Sequence, residues 1–411
     1  MWFYTQWVLK PAQVADAAAH DRPRGNLSDL YPRWLGAREL LLHGRDPYGA
    51  DITREIQTGY YGRPLDAARP NDPKDQQGFA YPVYVAFLLA PTVKLPFELV
   101  QRGFFWLLVL VTAASVLLWM RALGWRVSFL SQCIWIALTV GCFPAIQGFR
   151  LQQLTLLVAG LMAGAFGVLA AGNFAVAGIL LAMAAIKPQL VVLPVAVLGI
   201  WSLGNWRERQ RIVWSFAITM LLMVLGGEAL LPGWISRFRA ASAEYLRYTG
   251  GGKSVLDVEL SPVVGRIVAV LLAALLIYVA WQLRRAAVSS SEFRWLVALT
   301  MATTLMVIPM FAPYNQVLLV PVFMVIAMEI GRLWAEGPVC RFFVVLTAAS
   351  VTWPWIAAAG LLTGLLFLPG VVVQKEWTAP LFTNFFIPTL SLGLVLIGRG
   401  VITGGGEPHG G

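Results

Sequence analysis

The sequence predicts an all-α polytopic membrane protein, and three observations support this fold class. Of the 411 residues, 58% are hydrophobic and only 13% are charged, whereas a soluble domain is about half apolar and about a quarter charged. From about residue 104 onward, long apolar runs alternate with short polar loops. The first hundred residues depart from this pattern and hold more than half of the acidic side chains.

Eleven apolar runs follow residue 104, and we expect about 11 transmembrane helices from them. A helix needs roughly 20 apolar residues to cross a bilayer. Two runs are shorter and flank Lys187–Pro188, so we expect them to tilt, to thin the bilayer locally or to form one kinked unit. The runs are 104–120, 129–146, 151–171, 174–186, 189–204, 212–232, 263–283, 294–312, 314–331, 342–366 and 381–398.

The start of the chain is apolar, but the run Met1–Leu9 is too short to span a bilayer. It also lacks the charged start and the small-residue cleavage site that are typical of a signal peptide. We interpret residues 1–19 as a short remnant, the end of a truncated first helix, which would raise the number of spans to about 12. Residues 104–400 would then form the bundle, and residues 401–411 a disordered tail.

Residues 20–103 are predicted to form a large outer loop that contains interfacial helices. Within it, SDLYPRWLGARELLLHGRDPYG predicts a helix that begins near Pro32 and ends at Gly44. Asp29 or Ser28 would cap the start of this helix. The apolar run 79–97 contains several prolines, which break helices. We therefore expect an interfacial or partly inserted helix there, not a full span.

The distribution of arginine predicts the orientation, because basic residues favour cytoplasmic loops. With the spans given above, the basic loops fall on one side, and we predict that this side is the cytoplasm of a bacterial cell. The other face receives the outer loop, Lys187, the loop 233–262 and Ala312–Tyr314. The basic residues of the cytoplasmic loops explain the net charge of +10. The scattered basic residues form no basic domain, so we predict no nucleic-acid partner.

Several polar residues in apolar surroundings are candidates for function. Lys187 has no acidic neighbour in the sequence; such a lysine is costly in a membrane, and it either binds a phosphate or extends to the headgroups. Arg150 and Gln147 in QGFRLQQ are weaker examples of the same kind. Asn315 in FAPYNQ either bonds a sugar or starts a helix, and Asp29 is either a helix cap or a catalytic carboxylate.

Four segments follow one another in a characteristic order: SDLYPRWLGARELLLHGRDPYG, GFAYPVYVAFLLAPTVKLP, QGFRLQQLTLLVAG and AGILLAMAAIKPQLVVLP. Taken together, they resemble glycosyltransferase family 87, a group of polyprenol-phosphate-mannose-dependent mannosyltransferases with the GT-C membrane fold. The resemblance covers roughly residues 26–330.

The resemblance implies a catalytic first outer loop and a hexose donor carried on a polyprenyl phosphate. It implies transfer to a lipid or glycan acceptor with inversion at the anomeric carbon, and without a metal or another cofactor. Asp29 matches the acidic residue of the family's outer loop, which would act as general base. Lys187 matches the family's "KP" lysine and would face the donor phosphate, with Arg150 as a second cation. We expect these residues to bind substrate: Arg33, Arg45, Asp46, Tyr48, Gln147 and Asn315.

Two other classes of function stay open at this point. A transporter or flippase for a lipid-linked or small polar substrate would also be polytopic, although transporters often show internal repeats, and none is visible here. A non-catalytic membrane scaffold, derived from a transferase, is the third class.

Overall fold

The computed structural model describes residues 1–66, 68–249 and 252–404. Within these ranges every regular element is helical and there is no strand, which confirms the all-α class. Each of the 11 apolar runs overlaps one helix or several consecutive helices. Most of the predicted disordered tail, residues 405–411, lies outside the described residues, whereas Arg399–Thr403 is helical.

Five helices in the described part are long and apolar enough to cross a membrane, and a bent pair gives a sixth. The bent pair is Phe129–Gly141 with Phe143–Arg150, at an angle of 55°. The predicted number of about 11 spans is not confirmed, because the other apolar helices have 17 residues or fewer. The five are Phe97–Ala122, Trp206–Leu230, Pro262–Gln282, Pro338–Gly364 and Gly370–Ile397, the last composed of Gly370–Lys375, a 3-10 turn Ala379–Leu381 and Phe386–Ile397.

The shorter helices are held by close packing against the long ones. Leu154–Ala170 is buried along most of its length and packs against Phe97–Ala122. A Cβ atom added to Gly160 would lie 2.2 Å from the Cγ1 atom of Val111. Small residues let helices approach closely in a membrane, where van der Waals contact drives association. The other shorter helices are Phe174–Ala184, Pro188–Leu203, Ser291–Val307, Val320–Met328, Ile330–Ala335 and the 3-10 helix Pro313–Leu319.

The outer segment, residues 20–103, contains the predicted helix as Tyr31–His43, which ends at Gly44 with a left-handed φ of 65°. The predicted cap is wrong, because Leu30 occupies the cap position and no side chain caps the helix. The apolar run 79–97 forms only the short helix Val85–Leu89 and a 3-10 turn, Ala90–Thr92, before the first long helix begins. The remaining helix of the segment is Ala50–Tyr61.

Two further segments are more helical than the sequence indicates. The start of the chain is helical as Trp2–Tyr4, the π-helix Thr5–Leu9 and Lys10–Ala19, and it packs against Pro338–Gly364. The predicted loop 233–262 contains the helices Trp234–Tyr248 and Val255–Glu259. We call Trp234–Tyr248 the outer helix.

Candidate active site

The backbone around Asp29 is docked onto the turn that precedes Leu154–Ala170. The Asp29 N–H donates to the Leu151 carbonyl oxygen at 2.9 Å. The Ser28 hydroxyl donates to Oε1 of Gln152 at 2.6 Å. Gln152 itself has a left-handed backbone, with a φ of 47°. These bonds fix Asp29 just before its helix, so its carboxylate does not need to serve as a cap.

The Asp29 carboxylate accepts one hydrogen bond on each oxygen. The Tyr60 hydroxyl donates to Oδ1 at 3.1 Å, and the Gln153 side-chain amide donates to Oδ2. Burial and the charge of Asp29 raise the pKa of Tyr60 well above its usual value, so this hydroxyl keeps its proton as a donor. Each carboxylate oxygen can accept a further hydrogen bond, for example from a substrate hydroxyl.

Lys187 lies at the break between Phe174–Ala184 and Pro188–Leu203, with only 7% of its surface exposed. Its ammonium donates to Oε1 of Gln153 at 2.8 Å and to the Thr155 hydroxyl at 2.7 Å. The Gln153 amide therefore bridges Asp29 and Lys187, and these two charged partners determine which end of the amide is the donor. Within the described ranges, no carboxylate lies within 4.0 Å of the Lys187 ammonium.

A cavity of about 480 Å³, which we call the reaction cavity, collects four of the predicted site residues. They are Asp29, Arg33, Lys187 and Asn315. Arg33 donates from Nη1 to the Asp29 carbonyl oxygen, and its guanidinium lies 4.4 Å from the centre of the Tyr81 ring. The Arg33 Nε atom is buried without a hydrogen-bond partner in the described part of the chain. The cavity thus holds two cations whose hydrogen-bonding capacity is not fully used by the protein.

Comparison with known proteins identifies the class of this chain. The profile of glycosyltransferase family 87 matches residues 79–313, which is more than half of the sequence. The chain belongs to glycosyltransferase family 87. It is therefore a membrane glycosyltransferase, in agreement with its apolar helices. Searches of curated proteins and of solved structures gave no match.

The matched region of this family 87 glycosyltransferase includes part of the cavity wall. Gln153, Lys187 and the outer helix lie inside residues 79–313, whereas Asp29 and Arg33 precede them. The family match and the position of Asp29 are therefore independent observations.

Three predicted site residues of the glycosyltransferase line neither the reaction cavity nor the smaller cavity described next. Arg45 forms ion pairs with Glu39 at 2.9 Å and Glu55 at 2.6 Å, and it also pairs with Asp51. Arg150 is the last residue of Phe143–Arg150, where a cation interacts favourably with the helix dipole. Gln147 lies on the same helix. Their substrate roles stay predictions.

Two other predicted residues line a second, smaller cavity next to the outer helix. Asp46 pairs with Arg237 of that helix, and Tyr48 donates its hydroxyl to the Tyr81 carbonyl oxygen at 2.6 Å. Tyr48 therefore also positions Tyr81, which is part of the reaction cavity.

Several residues of the site were not predicted from the sequence. Gln153 was the easiest of them to predict from the sequence, because two consecutive glutamines, Gln152 and Gln153, start an otherwise apolar run. The others carry no such signal, since the packing of distant segments brings them together; Tyr60, for example, bonds Asp29, which lies 31 positions earlier. They include Tyr60, Asp75, Tyr81, Tyr245 and Tyr314, which line the cavity, and Thr155, which accepts a hydrogen bond from the Lys187 ammonium.

Asp75 is a second carboxylate in the reaction cavity, and it gives a prediction about stability. Burial is the largest cause that raises the pKa of Asp75, and the charge of Asp29 adds to it. The Gln77 N–H and side-chain amide donate to Asp75 at 3.0 and 2.7 Å and act in the opposite direction. Because the pKa is higher in the folded state, the folded chain binds more protons than the unfolded chain above about pH 4.

We therefore expect the Asp75 carboxyl to lower the free energy of unfolding as the pH rises from about 4 through its folded-state pKa, with no further change above it. Asp75→Asn should remove this slope, which thermal unfolding of the detergent-purified protein from pH 4 to 8 would measure. Asp66→Asn changes an exposed carboxylate, 57% accessible, and should keep the slope. An unchanged slope in Asp75→Asn would contradict the prediction.

Proposed function

We propose that this chain transfers a hexose, namely mannose, from a polyprenyl phosphate to a hydroxyl group of a lipid or glycan acceptor. The reaction takes place at the non-cytoplasmic face of a bacterial plasma membrane. One observation carries the proposal: a single amide, that of Gln153, connects the Asp29 carboxylate to the Lys187 ammonium in one cavity. A base at this position can take the proton of the acceptor hydroxyl, while a cation at a fixed distance from it can bind the donor phosphate.

The Asp29 carboxylate acts as the general base. As the acceptor oxygen attacks the anomeric carbon of the hexose, its proton passes to Asp29. Tyr60 and Gln153 hold the carboxylate in place, as a base needs to be aimed at the proton that it removes. The attack occurs on the face opposite to the leaving group, so a single displacement inverts the anomeric configuration.

The bond that breaks joins the anomeric carbon to a phosphate oxygen, and the polyprenyl phosphate leaves with the electron pair. The donor is a phosphodiester with one negative charge, and the leaving phosphate gains a second one. Lys187 is buried and Arg33 is half-buried, and both supply positive charge inside the cavity, where electrostatic stabilisation of developing charge is strong. We propose that these two cations serve in place of a metal, and that the apolar bundle holds the isoprenoid tail.

The assay that tests the function uses the purified chain in liposomes that contain a polyprenyl-phosphate hexose with a radiolabelled sugar. We expect time-dependent transfer of the label to an added acceptor and stoichiometric release of polyprenyl phosphate. Movement of intact donor between leaflets without bond cleavage would favour the transporter or flippase instead. Cysteine labelling of residues 20–75 from the inside of the cell would rule out a non-cytoplasmic site.

Tyr60 gives a prediction about the orientation of the base. Tyr60→Phe removes one hydrogen bond to a charged oxygen, which is worth about 1.5–3 kcal/mol. We expect kcat to fall by about tenfold or more, while the donor KM stays within about twofold, because the phosphate site is unchanged. The measurement is steady-state transfer.

The matched control for this variant is Tyr61→Phe. Tyr61 is the next residue on the same helix, is buried to a similar degree, and donates to the Asp75 carbonyl oxygen at 2.6 Å. We expect its kcat to stay within about twofold of the wild type. Equal losses in the two variants would show that the Tyr60 hydroxyl supports packing and not the carboxylate.

A further inference from the structure

A second cavity of about 260 Å³ lies beside the reaction cavity, between the outer segment and the outer helix. We call it the side groove. Asp46, Thr53 and Gln76 line it from the outer segment, and Ala241 and Glu244 line it from the outer helix. All its walls come from residues 46–80 and 237–248, and none from the long apolar helices.

The side groove and the reaction cavity are adjacent and share part of their walls. Ala80 lines both of them. The consecutive residues Gln76 and Gln77 line the groove and the reaction cavity, respectively. On the outer helix, Glu244 lines the groove and the next residue, Tyr245, lines the reaction cavity. A ligand that extends past the Ala80 methyl group would therefore occupy both cavities.

The chemistry of the side groove suits a neutral, hydroxyl-rich ligand. Two carboxylates, Asp46 and Glu244, and the Gln76 amide oxygen accept hydrogen bonds from hydroxyl groups. Among the described residues, the one cation that lines it is Arg237, which is already paired with Asp46. The balance of charge disfavours a phosphate, and the absence of a long apolar wall disfavours an isoprenoid tail. The rings of Tyr48 and Tyr248, both partly exposed, add flat apolar surface of the kind that packs against a sugar.

We propose that the side groove is an acceptor subsite, which binds the sugar unit next to the one that receives the transferred hexose. This inference rests on the proposed function and makes it more specific. The acceptor is then a glycan, or a glycolipid with a headgroup of at least two sugar units. One unit lies near Asp29, and its neighbour lies between Glu244 and Gln76.

Binding to the purified full-length chain tests the subsite without any need for turnover. The probes are a neutral hexose and a panel of hexose disaccharides with different linkages, and saturation-transfer NMR or calorimetry gives the affinities. We expect at least one disaccharide to bind about tenfold more tightly than the monosaccharide. Ala241→Leu fills the groove, and Glu244→Ala removes an acceptor, so each should reduce this ratio to near one.

Ala243→Leu is the matched control, because Ala243 is exposed on the same helix and lines neither cavity. It should leave the ratio unchanged. The proposal is overturned if no disaccharide binds more tightly than the monosaccharide, or if Ala241→Leu weakens both probes equally. If the preference is present but no donor sugar is ever transferred, the subsite is supported and the proposed function fails.

Discussion

Asp29→Asn is expected to lower sugar transfer by about 10²–10⁴-fold, the range that a positioned general base contributes. Asparagine has nearly the same shape as aspartate, and its carbonyl oxygen can still accept a hydrogen bond from Tyr60 or Gln153. It has almost no basicity, so it cannot take the proton of the acceptor hydroxyl. The loss should appear in kcat, measured with saturating donor, and the affinity for polyprenyl phosphate should stay nearly the same.

Asp66→Asn is the control for this experiment. Asp66 belongs to the same outer segment but lies outside both cavities, with 57% of its side chain exposed. Its substitution should leave kcat within about twofold. Transfer by Asp29→Asn at the wild-type rate, with the variant properly folded, would show that another group removes the proton. Asp75 would then be the next candidate, since its carboxylate lines the same cavity.

The sequence predicts the local features of this site better than its contacts. The helix from Tyr31 to His43 was predictable because proline, an apolar face and a terminal glycine act over short distances. The cap at Asp29 was wrong for a long-range reason. Leu151 and Gln153 are more than a hundred positions away in the sequence. The Leu151 carbonyl oxygen accepts from the Asp29 N–H, and the Gln153 amide donates to the Asp29 carboxylate, so this carboxylate does not cap the helix.

Lys187 was recognisable from composition alone, because a lone lysine between apolar runs has a large cost of burial. Composition does not predict which residues contact the Lys187 ammonium in the folded chain. Gln153 and Thr155 bind the ammonium from the start of the helix Leu154–Ala170, more than 30 positions earlier in the chain. Arg33 shares the cavity from the outer segment. Arg45 differs from Lys187, because the sequence marked it as a candidate but three nearby carboxylates neutralise its charge in the folded chain.

The number of spans was hard to predict for a different reason. Apolar composition identifies the apolar helices of the bundle, but it does not distinguish a full span from a short helix that is buried by its neighbours. Leu154–Ala170 is as apolar as a span, yet 17 residues long and surrounded by protein. The bend at Cys142, between Phe129–Gly141 and Phe143–Arg150, also divides one apolar run into two helices.

Lys187→Met is expected to separate function from stability. Methionine has a similar volume and no charge, so it removes the ammonium that would face the leaving phosphate. Removal of one preorganised electrostatic contact typically costs 10²–10³-fold in kcat, or about 2.7–4 kcal/mol. We expect a loss of this size in transfer, together with weaker binding of the donor. Lys187→Arg should restore little, because a planar guanidinium does not reproduce the bonds of a point charge.

Two opposing effects decide the stability of the same variant without ligand. A buried cation without a carboxylate partner costs several kcal/mol, and this cost disappears with methionine. The Gln153 carbonyl oxygen and the Thr155 hydroxyl oxygen each lose a donor, which costs about 1–3 kcal/mol for each acceptor. The two effects are of similar size, so the thermal stability of the apo protein should stay nearly unchanged. Lys94→Met, at an exposed lysine of the outer segment, should change neither transfer nor stability.

Ligand-induced stabilisation completes the test, because it depends on binding and not on catalysis. Polyprenyl phosphate at about a hundred times its Kd should stabilise the wild type and Lys94→Met by about 2.7 kcal/mol. The shift should be much smaller in Lys187→Met, since the ammonium that faces the phosphate is missing. If Lys187→Met instead unfolds at a lower temperature and keeps the full ligand-induced shift, the lysine supports the fold, and the donor phosphate must lie elsewhere in the cavity.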